Sequence, residues 1–236
     1  MLSIIIPALN EEKYLPELLK GLKEQKFKDY EIIIADGGSV DRTAEIAKEF
    51  GCKVVKGGLP AKGRNNGAEV AKGDLFLFMD ADNKIGYETF LQDLINEFKR
   101  RKLKVASFPI YPNGTRFDKF AYWVYNMWVK ISQNFLPHAT NSILVTKEIH
   151  KKIGGFDEEI KLAEDHDYVR RAKKYGRFGF IEIKPILTSS RRFEKKGRIK
   201  TYLKYILAGI WMLFFGPIKS DIFKYRFITV LKNKIK

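Results

Sequence analysis

Two carboxylates one residue apart, Asp80 and Asp82, close the apolar run Leu75-Phe76-Leu77-Phe78-Met79, with Ala81 between them. Side chains two positions apart on a strand point to the same face, so both acids can reach one ligand or ion. Carboxylate oxygens suit Mg²⁺ or Mn²⁺ held partly by the phosphates of a nucleotide. Taken alone, such a pair reads about as readily as a turn followed by a helix cap. A second acidic pair, Glu164-Asp165, heads a helical stretch through Tyr168, Val169 and Ala172. Acids there complement the helix dipole. Because they follow the Gly154-Gly155-Phe156-Asp157 turn in a chain that also carries the strand-end pair, they are candidates for a catalytic carboxylate as well. No convincing Ser/His/Asp or Cys/His set accompanies them.

These groups are positioned by an alternation of strands and helices. Leu2 to Pro7 reads as an apolar strand, and Asn10 with Glu11-Glu12 behind it as the cap of a helix carrying Leu15, Leu18, Leu19 and Leu22. Tyr30 to Ala35 is a second strand, ending in Asp36-Gly37-Gly38-Ser39. Asp41 is expected to cap the helix bearing Ala44, Ile46, Ala47 and Phe50, and Cys52 to Val55 is a third strand. Lys62 to Ala71 is a helix with Arg64 and Asn65, and the run ending in Asp80 is a strand buried on both faces. The pattern predicts a doubly wound α/β half, with its ligand crevice beyond the carboxyl ends of the strands. Neither a Gly-x-Gly-x-x-Gly turn nor a Walker lysine motif follows the first strand, which argues against a dinucleotide fold and a P-loop kinase. Further on come an amphipathic helix from Glu88 to Arg101 and strands at 105–110 and 142–146.

The charge is regional. The chain carries a formal +16, and residues 191–236 hold 13 Lys or Arg against 2 Asp or Glu. Such a segment attracts polyanions, whether nucleic acid or an anionic membrane surface. Arg191 to Arg198 reads as a basic loop, and the uncharged run from Tyr205 to Ile218 is too short to span a bilayer and breaks at Gly216-Pro217. Flanked by lysines, that run fits either an interfacial helix or a core or dimer contact. Phe117 to Phe135 holds Phe120, Tyr122, Trp123, Tyr125 and Trp128, which suits a core helix, a wall for an apolar acceptor, or a helix at lipid headgroups. One cysteine, Cys52, excludes an internal disulfide framework and fits a reducing compartment. No secretory leader is visible, so a cytoplasmic place on the inner face of the membrane is expected.

The order Pro7-Ala8-Leu9-Asn10-Glu11, Asp36-Gly37-Gly38-Ser39 with Asp41 and Thr43, Arg64-Asn65, Asp80-Ala81-Asp82, Gly154-Gly155-Phe156-Asp157 and Glu164-Asp165 resembles the GT-A fold glycosyltransferases of family 2. The resemblance covers roughly residues 1–190 as a catalytic domain, leaving 191–236 as a basic, apolar helical tail. It implies a mixed, mainly parallel sheet flanked by helices. It also implies a metal-dependent, inverting, hexosyltransferase-like transfer from a UDP- or GDP-sugar to a hydroxyl or phosphate acceptor, with a polyprenyl-linked or other lipid among the candidates. By that likeness Pro7, Ala8, Asn10 and Glu11 border the nucleotide, Glu11 near the ribose. Asp36 meets the base, Arg64 and Ala81 lie by the nucleotide, Asp80 lies near the ribose and Asp82 on Mn²⁺ or Mg²⁺. Asp165 is the general base, with Glu164 beside it. The chain lacks the Gln-x-x-Arg-Trp of processive members, so polymerisation is not expected. Arg191 or Arg192 in its place can grip a diphosphate or an acceptor phosphate, since a guanidinium matches phosphate bidentately.

Rival readings make separate predictions. A nucleotidyltransferase wants a Gly-rich, Arg-bearing loop after the first strand, which Pro7-Ala8-Leu9-Asn10 is not. A nucleic-acid-binding protein predicts tight, salt-dependent binding to DNA or RNA, and nucleic acid is not the expected partner. A membrane-bound scaffold with a dead site would keep its partner after loss of Asp82 or Asp165.

Overall fold

A computed structural model describes residues 1–220 and residue 222. Its centre is a seven-stranded sheet built from β1 (Leu2–Ala8), β2 (Tyr30–Asp36), β3 (Lys53–Lys56), β4 (Leu75–Phe78), β6 (Val105–Ser107), β8 (Ile143–Thr146) and β9 (Phe178–Phe180). The order is β3-β2-β1-β4-β8-β6-β9, parallel throughout except that β8 runs against β4 and β6. The strand ending in the aspartates is thus parallel to β1 on one side only.

Along β1 the side chains alternate between two cores, Ile4 and Ile6 on one face and Ile5 on the other, as a period of two requires. The first core is covered by α1 (Leu15–Lys23), α2 (Thr43–Glu49) and α4 (Phe90–Arg100), the second by α3 (Pro60–Glu69), α6 (Lys147–Lys152) and α7 (Glu164–Lys173). Helix α3 has few apolar residues. It still lies close on the sheet because Gly67 has no side chain: a Cβ there would stand 2.5 Å from Cγ2 of the fully buried Ile5.

A second sheet, β5 (Asn83–Lys84), β10 (Ile186–Ser189) and β7 (Ile110–Asn113), carries the chain back toward the strand ends. Directly after β10 comes α8 (Arg191–Lys196), a short helix where a basic loop was expected, and then α9 (Arg198–Phe214). Helix α1 also departs from expectation, since it begins at Leu15 and Asn10 does not cap it. Asn10 takes a left-handed φ of 53° and ties two loops instead: its amide donates to Ser39 Oγ (2.9 Å) and its Oδ1 accepts from Val40 N (2.8 Å).

Helix α5 (Arg116–Ser132) has the reverse of the usual amphipathic arrangement. Its buried positions are Asp118, Asn126, Val129 and Ser132, whereas Phe120 (60% exposed), Trp123 (47%) and Trp128 (45%) face outward. Asp118 explains part of this. It closes a capping box with Thr115 and accepts from Arg198 Nε (3.1 Å) and Tyr202 Oη (3.0 Å), docking α9 on the first turn of α5. Helix α9 likewise exposes Leu203, Ile206, Leu207, Ile210, Leu213 and Phe214. Among the described residues no helix is long and apolar enough to cross a membrane, and the tail beyond 222 lies outside them.

Candidate active site

Three parallel strands end side by side. Ala8 pairs with Asp36 in register, and Ile5 pairs with Phe78, which brings the Asp80-Ala81-Asp82 turn beside the end of β1. Pro7 lies 3.1 Å from where a Cβ on Gly63 would stand, so the end of β1 packs on α3, and Ala81 is buried. On the β2 side Asp36 helps line a depression of about 410 Å³ with Gly37, Gly38, Val55, Lys56 and Gly57. The carboxylate of Asp36 holds its own turn, accepting from the amides of Gly38 (3.2 Å) and Ser39 (3.1 Å).

Two arginines organise the acids. Arg64, on α3, is buried, and its two terminal nitrogens reach Asp80 Oδ1 (2.8 Å) and Glu164 Oε1 (2.7 Å). It therefore joins the end of β4 to the start of α7 across the cleft. Despite burial, the carboxylates of Asp80, Glu164 and Asp165 hold the guanidinium well above its ordinary pKa. Arg191, at the start of α8, forms a two-pronged pair with Glu11 (2.6 and 2.7 Å), reaches Asp82 Oδ2 (3.2 Å) and lies over the Tyr14 ring, 4.5 Å from its centroid. Burial raises the pKa of Glu11 although Arg191 opposes the shift. Asp82 is pushed up to about 7, mainly by burial and then by the charges of Asp80 and Glu11, with Arg191 acting the other way.

The start of α7 is held by the glycine turn. Gly154 and Gly155 both take φ of +73°, which lets the chain fold back so that Asn65, next to Arg64, bonds both backbone groups of Phe156 (2.8 and 2.9 Å). Phe156 stacks on Tyr168 at 4.0 Å, and the Arg64 guanidinium lies 5.2 Å from the same ring. Ala163 then turns left-handed (φ 61°) to open α7 at Glu164. Asp165 accepts from His166 N (2.8 Å), and burial plus the neighbouring Glu164 charge lift its pKa well above the usual carboxylate range.

The sequence-predicted residues thus gather into two linked groups: Glu11, Asp82 and Arg191, and Asp80, Arg64 and Glu164 with Asp165 adjoining. Asp36 stands apart at the edge of β2. Arg192 donates to Tyr205 Oη (3.0 Å). Tyr205, which sequence reasoning passed over inside an apolar run, belongs here: burial and the charges of Asp165 and Asp80 raise its phenol pKa. Tyr14, the platform under Arg191, was missed too, for nothing in its spacing signals that contact.

The donor set fits a hard divalent cation. Five carboxylates (Glu11, Asp80, Asp82, Glu164, Asp165) outnumber the guanidinium groups of Arg64, Arg191 and Arg192 that act on them. Among the described residues no three His, Cys, Asp or Glu groups stand close enough to cage a metal. An ion at Asp82 would therefore need further oxygens from a bound diphosphate and water, as Mg²⁺ and Mn²⁺ commonly do.

The chain belongs to glycosyl transferase family 2, whose family model matches residues 3–156, and its mixed sheet with flanking helices is that of GT-A glycosyltransferases. It is 39% identical over 112 residues to a 4,4'-diaponeurosporenoate glycosyltransferase of Staphylococcus haemolyticus, covering 44% of this chain and 30% of that one. It is 28% identical over 183 residues to the poly(ribitol-phosphate) beta-N-acetylglucosaminyltransferase TarS of Staphylococcus aureus, covering 72% and 32%. The chain spans about a third of the length of these relatives. The structure of TarS 1–349 with UDP matches at a TM-score of 0.66 and 24% identity over 80% of this chain and 60% of that one. The mannosyltransferase PcManGT of Pyrobaculum calidifontis, solved with GDP-Man and Mn²⁺, matches at 0.64 and 16% identity over 80% and 56%.

Proposed function

We propose that this chain transfers one sugar from a UDP- or GDP-sugar to a hydroxyl or phosphate of a lipid-linked acceptor at a membrane surface, with inversion at the anomeric carbon. The observation that carries the reading is Arg64, which ties the strand-end Asp80 to Glu164 and so sets Asp165 beside the edge where a donor would lie.

In this reading the base sits in the Asp36 depression, and Pro7, Ala8, Asn10 and Ala81 form the walls around the nucleoside, with Glu11 and Asp80 toward the ribose. A divalent cation on Asp82 would neutralise charge on the departing diphosphate. Arg191, released from Glu11 and Asp82, would supply two N–H groups to the same diphosphate, with Arg192 behind it. The acceptor oxygen attacks the anomeric carbon, its proton passes to Asp165, and the bond to the diphosphate breaks with its electron pair leaving on the nucleotide. Glu164, locked on Arg64, keeps Asp165 in place.

The outward-facing aromatics of α5 and the aliphatics of α9 support the membrane part. An exposed, contiguous apolar surface of this kind marks an interaction site. Exposed Arg116, Lys119, Lys195 and Lys200 lie on or beside these helices and would meet anionic lipid headgroups. A nucleic-acid groove would call for basic residues without that apolar face.

The test is release of nucleoside diphosphate from a panel of UDP- and GDP-sugars with Mn²⁺ and vesicles carrying a polyprenyl phosphate. Wild type should turn over one donor, and the product anomer should be inverted by NMR. Asp165→Asn should lose roughly 10²–10⁴-fold in rate, whereas wild-type turnover by that variant would remove the assigned base.

A further inference from the structure

Beside Asp165 lies a cationic group that the donor chemistry does not use. Around the cleft Arg64 and Arg191 each bind two acids, and Arg171 binds Asp167 (2.7 Å) and two carbonyl oxygens. Arg170, next in line on α7, has no carboxylate within ion-pair reach among the described residues. Among the described residues its terminal nitrogens reach the Met212 carbonyl (3.4 Å) and His138 Nε2 (3.5 Å), both at the limit of a hydrogen bond, and its buried Nε finds no partner there. A half-buried guanidinium left this unsatisfied carries a large desolvation cost, which a bound anion would offset.

The nearest side-chain contact of Arg170 is the His138 imidazole, and the carboxylates of Asp167 and Asp165 act on it through charge from farther off. His138 and His166 stand ring to ring at 5.0 Å. His138 bonds the Leu136 carbonyl through Nδ1, turning Nε2 toward Arg170. His166 accepts from Ala139 N through Nδ1 (3.3 Å), which leaves its Nε2 as an N–H that donates to none of the described residues. Burial, His138 and Arg170 hold the His166 pKa down, and burial takes His138 to about 4. The cluster joins both proposed functions of the molecule. His166 adjoins Asp165, Nδ1 to Oδ1 at 3.5 Å, while His138 lies 6.3 Å from the exposed Trp128 ring of α5, and Met212 belongs to α9.

We propose that Arg170, with the free N–H of His166 and with His138 orienting the guanidinium, is a phosphate subsite for the acceptor, placed between the apolar helices and the general base. The inference rests on the glycosyltransferase reading and assigns the acceptor's anionic group to Arg170, leaving Arg191 and Arg192 to the donor. The ligand class is a phosphate ester, carried by a lipid lying on α5 and α9 or by a soluble acceptor.

The chain has three histidines, His138, His150 and His166. Their ring ¹⁵N signals in the full chain therefore report the site, with His150, which is bonded to Tyr168 Oη, as an internal control. Farnesyl phosphate should shift the His138 and His166 signals and leave His150 unmoved. Farnesol should shift none. Arg170→Gln should weaken the phosphate response by about tenfold or more, Arg170→Lys should keep part of it, and UDP·Mn²⁺ should bind all three proteins alike. Inorganic phosphate acting as strongly as farnesyl phosphate would assign the subsite to a soluble phosphate ester, and a response to farnesyl phosphate alone would assign it to lipid. Unmoved His138 and His166 signals with both phosphates, or Arg170→Gln binding as tightly as wild type, overturns the proposal. Nucleotide calorimetry on wild type separates the two readings: histidine shifts without nucleotide binding would sink the transferase and leave the subsite, and the reverse would do the opposite.

Discussion

Arg64 shows how much can depend on one buried side chain. With Asp80 and Glu164 as its partners, its removal strands two acids near a third, Asp165. Breaking a buried pair in this way costs about 3–5 kcal/mol. We expect Arg64→Met to lose that much in urea unfolding at pH 7, and less near pH 4, where protonation relieves the repulsion. Asp165 carries a second expectation, with its sign fixed by the raised pKa. Between the ordinary aspartate value, ~3.9, and its folded value, the native state holds a proton that the unfolded chain has released. Stability therefore falls as pH rises through that window. Asp165→Asn should melt about 2–4 °C above wild type at pH 8, a gain of about 1 kcal/mol, with the gain shrinking toward pH 5. The base works only when deprotonated, so wild-type kcat/KM should rise with pH over the same range. A variant no more stable than wild type at pH 8 would mean that Asp165 carries no strain. The acids themselves were legible from their spacing. Arg64 and Arg191 were named through the family resemblance, but their pairing with the acids was not legible, because Arg191 meets Glu11 across 180 residues and Arg64 meets Glu164 across 100, and no local pattern encodes such pairs.

Elements were read from periodicity where burial is one-sided or complete. The alternating strands and the helices α1, α2 and α4 follow from their apolar spacing. The small second sheet was not visible, since β5 has two residues and β10 and β7 have four each, too few for an alternation to show. Helix α8 hid inside a basic run, and Asn10 mimicked a cap because a loop-tying asparagine and an N-cap share the same residue preferences. Helix α3 was visible only as the carrier of Arg64 and Asn65. Its seat on the sheet depends on Gly67, so Gly67→Ala should push it from Ile5, costing about 1–3 kcal/mol and raising the donor KM by displacing Arg64. An unchanged melting temperature and KM would show that α3 can shift without moving the site.

At the scale of the whole molecule, the sheet edge presents a polar cleft, and the inverted helix α5 with α9 presents an apolar, lysine-flanked surface. The sequence left the aromatic run open between core and interface. The structure divides it: Phe120, Trp123 and Trp128 face outward, whereas Tyr122 packs on the core and Tyr125 bonds the Ala139 carbonyl. Phe120→Ser with Trp123→Ser and Trp128→Ser should release the chain from vesicles containing anionic lipid at unchanged melting temperature, and added salt should weaken wild-type binding. Undiminished co-sedimentation would place the lipid contact elsewhere. In the polar cleft we propose that Asp82 would hold a cation that in turn binds the donor diphosphate. Calorimetry with UDP and with GDP, each with and without Mn²⁺, tests it directly. Wild type should bind one nucleotide with Mn²⁺ and far more weakly without it, and Asp82→Asn should lose the Mn²⁺-dependent part. Equal heats from wild type and Asp82→Asn, or no nucleotide binding to wild type, would contradict the account.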